Sequence, residues 1–263
     1  MNKFVVFLAQ TAKTLIRPFF PLTVYGDSTI PETRCIASGN HISAWDPFMF
    51  SLCRRRIISS LYKAEFADNR FLRWLLDGLD CIPVRRGEPD INGTKQILRL
   101  LKSDKALIIL PEGTRNPNVD CFQEFHTGAA MFAIKTHTPI KPFYIWDKAK
   151  AFHRNYILHG EPFTLEQFYD KPLNHQTLDE ATAVIRGVLD GLRIQLNEIL
   201  AAKGVKRRKR TKKELRKIAE YNEQQKALAE QQTLQQAEVQ AESQPEVNEA
   251  QAEAAATEAQ QEE

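Results

Sequence analysis

Residues 106–115 read ALIILPEGTR, an unbroken apolar run followed directly by Pro, Glu, Gly, Thr and Arg. A short apolar run that ends at a turn is typical of a strand buried on both faces of a parallel sheet. The charged residues of the turn then lie just beyond the carboxyl end of that strand. Ligands bind at this edge in open α/β sheets, so the stretch predicts both a sheet and the position of its site.

Strand-like apolar runs alternate with helical patterns on both sides of this stretch. Further strands are expected at residues 34–38, 57–62, 81–84, 140–146 and 156–159. Helices are expected at residues 47–53, 70–76, 92–102, 127–136 and 178–202. This alternation predicts an α/β fold in which helices flank a largely parallel or mixed central sheet.

The composition divides the chain of 263 residues into four expected segments. They are an N-terminal amphipathic, membrane-docking helix at 1–25, a folded domain at 26–202, a basic segment at 203–217 and a disordered tail at 218–263. The tail is rich in Gln, Glu and Ala and has too few apolar residues to offset the entropy cost of folding. Its good helix formers nevertheless favour some helix near residues 212–232.

One apolar stripe runs along the N-terminal segment at helical spacing. Charged residues and prolines interrupt the segment, so it is neither long nor apolar enough to span a bilayer. The pattern favours a helix that lies in the membrane interface, and packing against the protein's own core is the alternative. The stripe consists of Phe4, Leu8, Ala12, Leu15 and Phe19.

Residues 38–48 read SGNHISAWDPF and hold a histidine and an aspartate suited to base catalysis. Asp46 precedes Pro47, a pair typical of a helix N-cap and first helical residue, so His41 is expected in the loop before that helix. The loop can bring the Asp46 carboxylate to the imidazole, which fixes one ring nitrogen and leaves the other as a general base. Two alternatives are a chance pair and a hydrolase with Ser43 as nucleophile, although the chain has no G-x-S-x-G elbow.

Two arginines follow expected strands at the same edge as His41. They are Arg86 and Arg115. A planar guanidinium group binds phosphate through paired donors, so the pair predicts an anionic substrate held for attack by a hydroxyl group. Gly113 lets a ligand approach the backbone, and Glu112 is expected to align an arginine, a hydroxyl or a backbone group. Taken alone, each arginine is more typical of a surface ion pair.

Metal and nucleic-acid sites are not expected. The four cysteines are widely spaced without a C-x-x-C pair, which favours reduced thiols and predicts neither a disulfide nor a zinc site. The run of Lys and Arg at 206–213 has three interpretations: a solvated charge cluster, contact with an anionic membrane, or nucleic-acid binding.

Taken together, these segments resemble the glycerolipid acyltransferases, in particular the lysophosphatidic acid acyltransferases. The resemblance covers residues 36–145, in which four family blocks occur in order. The blocks are Asn-His-x4-Asp at Asn40, His41 and Asp46, a strand ending in an arginine at 82–87, Pro-Glu-Gly-Thr-Arg at 111–115, and a proline-rich strand at 138–142.

Two shorter patterns also resemble the family. Lys63 and Glu65 match a Lys-x-Glu pair, and Phe125 with Gly128 matches a Phe-x-x-Gly block. Three positions depart from the family pattern and leave the exact acceptor open. They are His126 in place of a common lysine, Lys141 within a usually apolar block, and Arg85 in place of a common acidic residue.

The resemblance implies acyl transfer from acyl-CoA or acyl carrier protein to the sn-2 hydroxyl of 1-acyl-glycerol-3-phosphate, which gives phosphatidic acid. Glycerol 3-phosphate or another lysolipid is the alternative acceptor. His41 and Asp46 are then the catalytic residues, with Asn40 and Lys63 in support. The implied phosphate-binding residues are Arg86, Glu112, Gly113, Thr114 and Arg115.

The same resemblance makes residues 26–202 an acyltransferase domain and implies its surroundings. The expected partners are a lysophospholipid, the thioester donor and an anionic membrane surface, without nucleic acid. No cofactor or metal ion is expected besides the donor substrate. The expected location is the cytoplasmic face of the cell membrane, as a peripheral or monotopic protein.

Overall fold

The computed structural model describes residues 1–31, 33–53, 57–85, 90–227 and 230–231. The strands within these residues are β1 (Leu22–Tyr25), β2 (Cys35–Gly39), β3 (Ser59–Lys63), β4 (Ile82–Val84), β5 (Ala106–Ile109), β6 (Ile140–Ile145) and β7 (Asn155–His159). The helices of the first 208 residues are α1 (Lys3–Ile16), α2 (Asp46–Leu52), α3 (Arg70–Gly78), α4 (Ile91–Lys102), α5 (Gly128–Thr136) and α6 (His175–Ala202). The α/β fold expected from the sequence is confirmed.

The strands form one mixed sheet in the order β1-β7-β6-β2-β5-β3-β4. Neighbouring strands are parallel except β6 and β7, which are antiparallel. Strands β2 to β6 therefore point the same way, and their carboxyl ends meet at one edge of the sheet, here called the carboxyl edge. Loops that leave these strands are brought together there.

Both faces of the sheet are buried at its central strands, which explains why β5 is apolar at every position. Leu107 and Ile109 of β5 pack in one core cluster with residues of α4, α5 and α6. Ile108 packs in a second cluster with Met49 and Phe50 of α2. Successive side chains of a strand point to opposite faces, so an unbroken apolar run is needed where helices cover both.

The predicted N-terminal helix over residues 1–25 is too long. Helix α1 ends at Ile16, a 3-10 turn covers Arg17–Phe19, and Leu22–Tyr25 forms β1. The two prolines at 18 and 21 lack the backbone N–H that a continuing helix requires. Strand β1 instead pairs in parallel with β7, with Leu22 aligned to Asn155.

The chain divides into two compact units, Met1–Arg208 and Lys209–Glu263. In the second unit, residues 212–227 and 230–231 are helical, which agrees with the helix expected near 212–232 and shows that the expected disorder is wrong for those of them beyond residue 217. This helix starts with a reciprocal capping pair, because Thr211 N donates to Glu214 Oε2 at 2.9 Å and Glu214 N donates to Thr211 Oγ1 at 3.2 Å. The predicted tail at 228–229 and 232–263 lies outside the described residues.

No helix in the described part of the chain combines the length and the apolar character that a membrane span requires.

Candidate active site

The loop after β2 and the turn after β5 lie side by side because the two strands are direct neighbours. Ser38 of β2 is aligned with Ile109 of β5. The buried Asn40 fixes the start of the loop, since its side-chain amide accepts from Ile145 N at 2.8 Å and donates to Ile145 O at 2.9 Å. Asn40 thus extends the pairing of β2 with β6 by one side chain, and its supporting role in catalysis stays a prediction.

The expected contact between His41 and Asp46 is present. His41 Nδ1 lies 2.9 Å from Asp46 Oδ2, and the same oxygen accepts from Ile42 N and Ser43 N, each at 2.7 Å. The expected N-cap role of Asp46 is wrong. Helix α2 begins at Asp46 itself with Trp45 at the N-cap position, so the carboxylate turns back to the incoming loop.

The Asp46 carboxyl group is fully buried, whereas the His41 ring reaches solvent. Burial raises the pKa of the Asp46 carboxyl group, and hydrogen bonds from His41, Ser43 and Ile42 counteract this effect. The His41 side chain is 12% exposed, and its Nε2 atom has no hydrogen-bond partner among the described residues. When the Asp46 carboxyl group is ionised it can only accept from the ring, which places the proton on Nδ1 and leaves the lone pair of Nε2 free.

Glu112 lies on the other side of His41 and is almost completely buried. Its Oε1 atom accepts from His41 N at 2.7 Å, and Oε2 accepts from Asn116 Nδ2 at 2.8 Å and from Gln123 N at 2.9 Å. Burial raises the pKa of this carboxyl group, and these hydrogen bonds counteract it. Glu112 therefore aligns backbone groups, one of the roles that the sequence left open, and its contact with phosphate stays a prediction.

The turn after Glu112 presents an unpartnered cation. Gly113 has a φ of 64°, and a Cβ atom there would lie 2.5 Å from Cδ2 of His126, so glycine is favoured. The Thr114 hydroxyl donates to Gln123 Oε1 at 3.1 Å. Arg115 is exposed and makes no hydrogen bond or ion pair with the described part of the chain.

The second predicted arginine, Arg86, lies outside the described residues, as does Gly87. Strand β4 ends at Val84, at the carboxyl edge. Lys63 ends β3 at the same edge and forms an exposed ion pair with Glu65, with Nζ 2.7 Å from Oε1. The structure thus brings His41, Lys63 and Arg115 to one edge, while their functional roles stay predictions.

The departures from the family pattern fall in different places. The His126 ring covers Gly113, so this substitution lies at the candidate site. Lys141 is fully buried near the start of β6, aligned with Ala37 of β2 and away from the carboxyl edge. Its Nζ has no hydrogen-bond partner among the described residues.

Sequence reasoning missed two residues of the site, Asn116 and Gln123. Both donate to Glu112, and Asn116 N also donates to His41 O at 2.6 Å. Asn116 precedes Pro117, and an Asn-Pro pair signals a turn. That signal gives the turn but not the burial of the asparagine, which arises only when the β2 and β5 loops meet.

Comparison with known proteins finds a family match over the region that contains these residues. The model of the family described as Acyltransferase matches residues 21–146. Over this stretch, just under half of its length, the chain is similar to that family. The match includes the loop with His41 and Asp46 and the turn with Glu112 and Arg115.

The individual relatives of this chain are distant. It is 28% identical over 142 residues to a 1-acyl-sn-glycerol-3-phosphate acyltransferase of Borreliella burgdorferi, which covers 53% of this chain and 56% of the relative. It is 29% identical over 104 residues to a protein of the same name from Streptococcus pneumoniae, covering 39% of this chain and 38% of that one. The chain thus spans about half the length, or less, of these relatives.

A solved structure has the same fold. The 1-acyl-sn-glycerophosphate (LPA) acyltransferase PlsC from Thermotoga maritima superimposes with a TM-score of 0.53 and 21% identity. The alignment covers 73% of this chain and 79% of that one. At this identity the likeness supports the fold alone.

Proposed function

We propose that this acyltransferase moves a fatty acyl group from acyl-CoA or acyl carrier protein to the sn-2 hydroxyl of 1-acyl-glycerol-3-phosphate, giving phosphatidic acid. The observation that carries the proposal is the outward Nε2 of His41, held by Asp46 at the edge where Arg115 stands exposed. The names of the relatives support the same reaction and acceptor.

In the proposed reaction, His41 is the general base. Nε2 takes the proton of the acceptor hydroxyl as its oxygen bonds to the thioester carbonyl carbon. Asp46 keeps Nδ1 protonated and stabilises the imidazolium that forms. When the tetrahedral intermediate collapses, the carbon–sulfur bond breaks, and the proton on Nε2 passes to the departing thiolate. The scheme uses neither a metal ion nor a covalent acyl-enzyme.

In the same scheme, Arg115 and Arg86 bind the acceptor phosphate and so place its hydroxyl at His41. A phosphate monoester offers the oxygen atoms that a guanidinium fork recognises. Lys63 adds a cation at the same edge, and positioning of this kind lowers the barrier by making the attack effectively intramolecular. Glycerol 3-phosphate carries the same phosphate, and it is therefore the alternative acceptor.

Acyl transfer by the purified full chain tests this proposal. The assay pairs 1-acyl-glycerol-3-phosphate, glycerol 3-phosphate and an unphosphorylated monoacylglycerol with each donor carrier. We expect His41→Ala to lower kcat on the order of 10²–10⁴-fold. Arg115→Ala should raise the KM of phosphorylated acceptors without a comparable effect on monoacylglycerol. Wild-type rates in His41→Ala, or equal use of the phosphorylated and unphosphorylated acceptors, would contradict the proposal.

We further propose that α1 and α3 dock the enzyme on an anionic bilayer. The whole stripe expected from the sequence, from Phe4 to Phe19, is exposed, which argues against the alternative that it packs on the core. Phe4 and Phe7 of α1 and Phe71 of α3 are each more than 60% exposed, with values of 64%, 68% and 67%. Exposed apolar groups of this size mark interaction surfaces.

The two helices form one preassembled surface. Asn2 N donates to Gly78 O at 2.8 Å, and a Cβ atom at Gly78 would lie 2.6 Å from a methyl carbon of Val5. Trp74 of α3 lies between Phe4 and Phe71, with ring centroids 6.5 and 5.8 Å away. Basic residues at 3, 70 and 73 suit anionic headgroups. The proposed location is the cytoplasmic face, where soluble thioester carriers deliver the acyl group.

Sedimentation with vesicles tests the docking surface. Full-length protein should bind vesicles with phosphatidylglycerol more tightly than vesicles of phosphatidylcholine alone. The substitutions Phe7→Ser and Phe71→Ser should each weaken binding about tenfold or more, because each removes roughly 1.5–3 kcal/mol of apolar transfer. Ile194→Ser, an exposed apolar residue on α6, is the matched control. Equal binding by all variants would refute the surface.

A further inference from the structure

Asn116 connects the two loops that form the candidate site. Its backbone N–H donates to the His41 carbonyl oxygen at 2.6 Å. Its side-chain Nδ2 donates to Glu112 Oε2 at 2.8 Å and to Cys121 O at 2.7 Å, while Oδ1 accepts from Asn118 N at 2.8 Å. The residue is 1% exposed. All of these contacts are within the protein, so Asn116 is not placed to touch a substrate.

The main chain of His41 is consequently held on both sides. Glu112 accepts from its N–H group, and Asn116 donates to its carbonyl oxygen. Asp46 fixes the ring. Of these three constraints, one is made by Glu112, and the Asn116 side chain is one of the donors that hold Glu112 in place.

The chemistry of this position favours an amide. The Asn116 side chain donates to a carboxylate and a carbonyl oxygen while it accepts from a backbone N–H, and only an amide of this size offers both. Aspartate has the same shape, but it would place a second acidic group within hydrogen-bond distance of Glu112. Two carboxylates cannot both ionise at that separation without strong repulsion.

The loop that carries Asn116 is itself anchored on α6. Arg186 Nη1 donates to the Gln123 carbonyl oxygen at 2.9 Å, and Arg193 Nη1 donates to the Asp120 carbonyl oxygen at 3.1 Å. Gln123 supplies the other loop donor to Glu112. The groups that hold Glu112 are therefore tied to the longest helix of the domain.

We infer that Asn116 is a positioning residue for His41, acting through the hydrogen bond from its side chain to Glu112. This inference rests on the proposed role of His41 as the base. Misplacement of a catalytic group by about 1 Å can cost on the order of 10²-fold in rate. Loss of the hydrogen bond from Asn116 to Glu112 is therefore expected to lower kcat and to leave the KM of the acceptor nearly unchanged.

The test compares Asn116→Asp with a control in the same loop. Asn118 accepts from Asp120 N at 3.0 Å and donates to Cys121 Sγ, without contact to His41 or Glu112. We expect Asn116→Asp to lower kcat on the order of 10²-fold. Asn118→Ala should keep kcat within a few-fold of wild type, even where it lowers Tm. Equal losses of kcat in the two variants would overturn the inference.

A double variant separates repulsion from misfolding. Glu112→Gln in the Asn116→Asp background removes one of the two facing carboxyl groups. We therefore expect the double variant to recover about tenfold in kcat over Asn116→Asp alone. A kcat equal to or below that of the single variant would contradict the electrostatic link between the two residues.

A readout without activity keeps the two proposals distinguishable. In protein with ¹⁵N-labelled histidine, Asn116→Asp should shift the ring nitrogen signals of His41, and Asn118→Ala should not. Shifted signals in a protein that transfers no acyl group would support the positioning role of Asn116 and refute the proposed function. Unchanged signals and kcat in Asn116→Asp, with His41→Ala inactive, would refute the positioning role of Asn116 alone.

Discussion

Two buried carboxyl groups flank His41, and they act on different parts of the residue. Asp46 contacts the ring through Oδ2, the atom that also gathers two N–H groups of the loop. Glu112 contacts only the backbone N–H of His41 and is otherwise bound to the loop after β5. One carboxyl group can therefore set the tautomer and charge of the imidazole, while the other sets its position.

The largest expected effect comes from removing the charge next to the ring. Asp46→Asn keeps an oxygen for Ile42 N and Ser43 N but cannot stabilise an imidazolium ion. We expect kcat to fall on the order of 10²–10⁴-fold in an acyl-transfer assay, with little change in the KM of the acceptor.

Ser43→Ala is the matched control for Asp46→Asn. The Ser43 hydroxyl oxygen accepts from Trp45 N at 3.2 Å and makes no contact with the His41 ring. It should retain activity near that of wild type. Near-complete loss of turnover in Ser43→Ala would instead favour the hydrolase alternative, in which this hydroxyl is the nucleophile.

The smallest expected effect concerns the pH dependence of stability. Burial raises the pKa of Glu112 above its value in the unfolded chain. At pH values between the two pKa values, the folded protein therefore binds more protons than the unfolded chain. The stability that Glu112 contributes is therefore present below its unfolded pKa and is lost as the pH rises through its folded pKa. Each pKa unit of difference between the folded and unfolded states corresponds to about 1.4 kcal/mol in the free energy of unfolding.

Urea unfolding of wild type and Glu112→Gln measures this effect. The free-energy cost of the substitution should be larger at about pH 4 than at about pH 7, because glutamine does not titrate. An equal cost at both values, or a larger cost at neutral pH, would show that hydrogen bonds outweigh burial at Glu112.

The sequence predicts the fold well where a local pattern agrees with its burial. The apolar run of β5 and the long helix α6 are examples, since their periodicity reflects the faces that they bury. The strand β1 could not be predicted in this way. It is a short edge strand with mixed burial, and its partner β7 is distant in sequence, so tertiary pairing decides it.

In the candidate site too, local sequence predicts some features, and tertiary contacts decide the others. His41 and Asp46 are close in sequence, and the Asp-Pro pair gives the turn between them, so their contact could be predicted. The direction of the Asp46 carboxylate could not, because capping the helix and capping the loop are both compatible with that pair. The burial of Asn116 depends on the two loops meeting in space.

The pairing of β1 with β7 also affects the order in which the nascent chain can fold. Strand β1 has no neighbour in the sheet until residues 155–158 have left the ribosome. Helix α1 emerges before all of them, and Trp74, whose ring lies 6.5 Å from that of Phe4, is made later. Synthesis therefore presents helix α1 before β7, and this edge of the sheet can form only after most of the folded domain has been made.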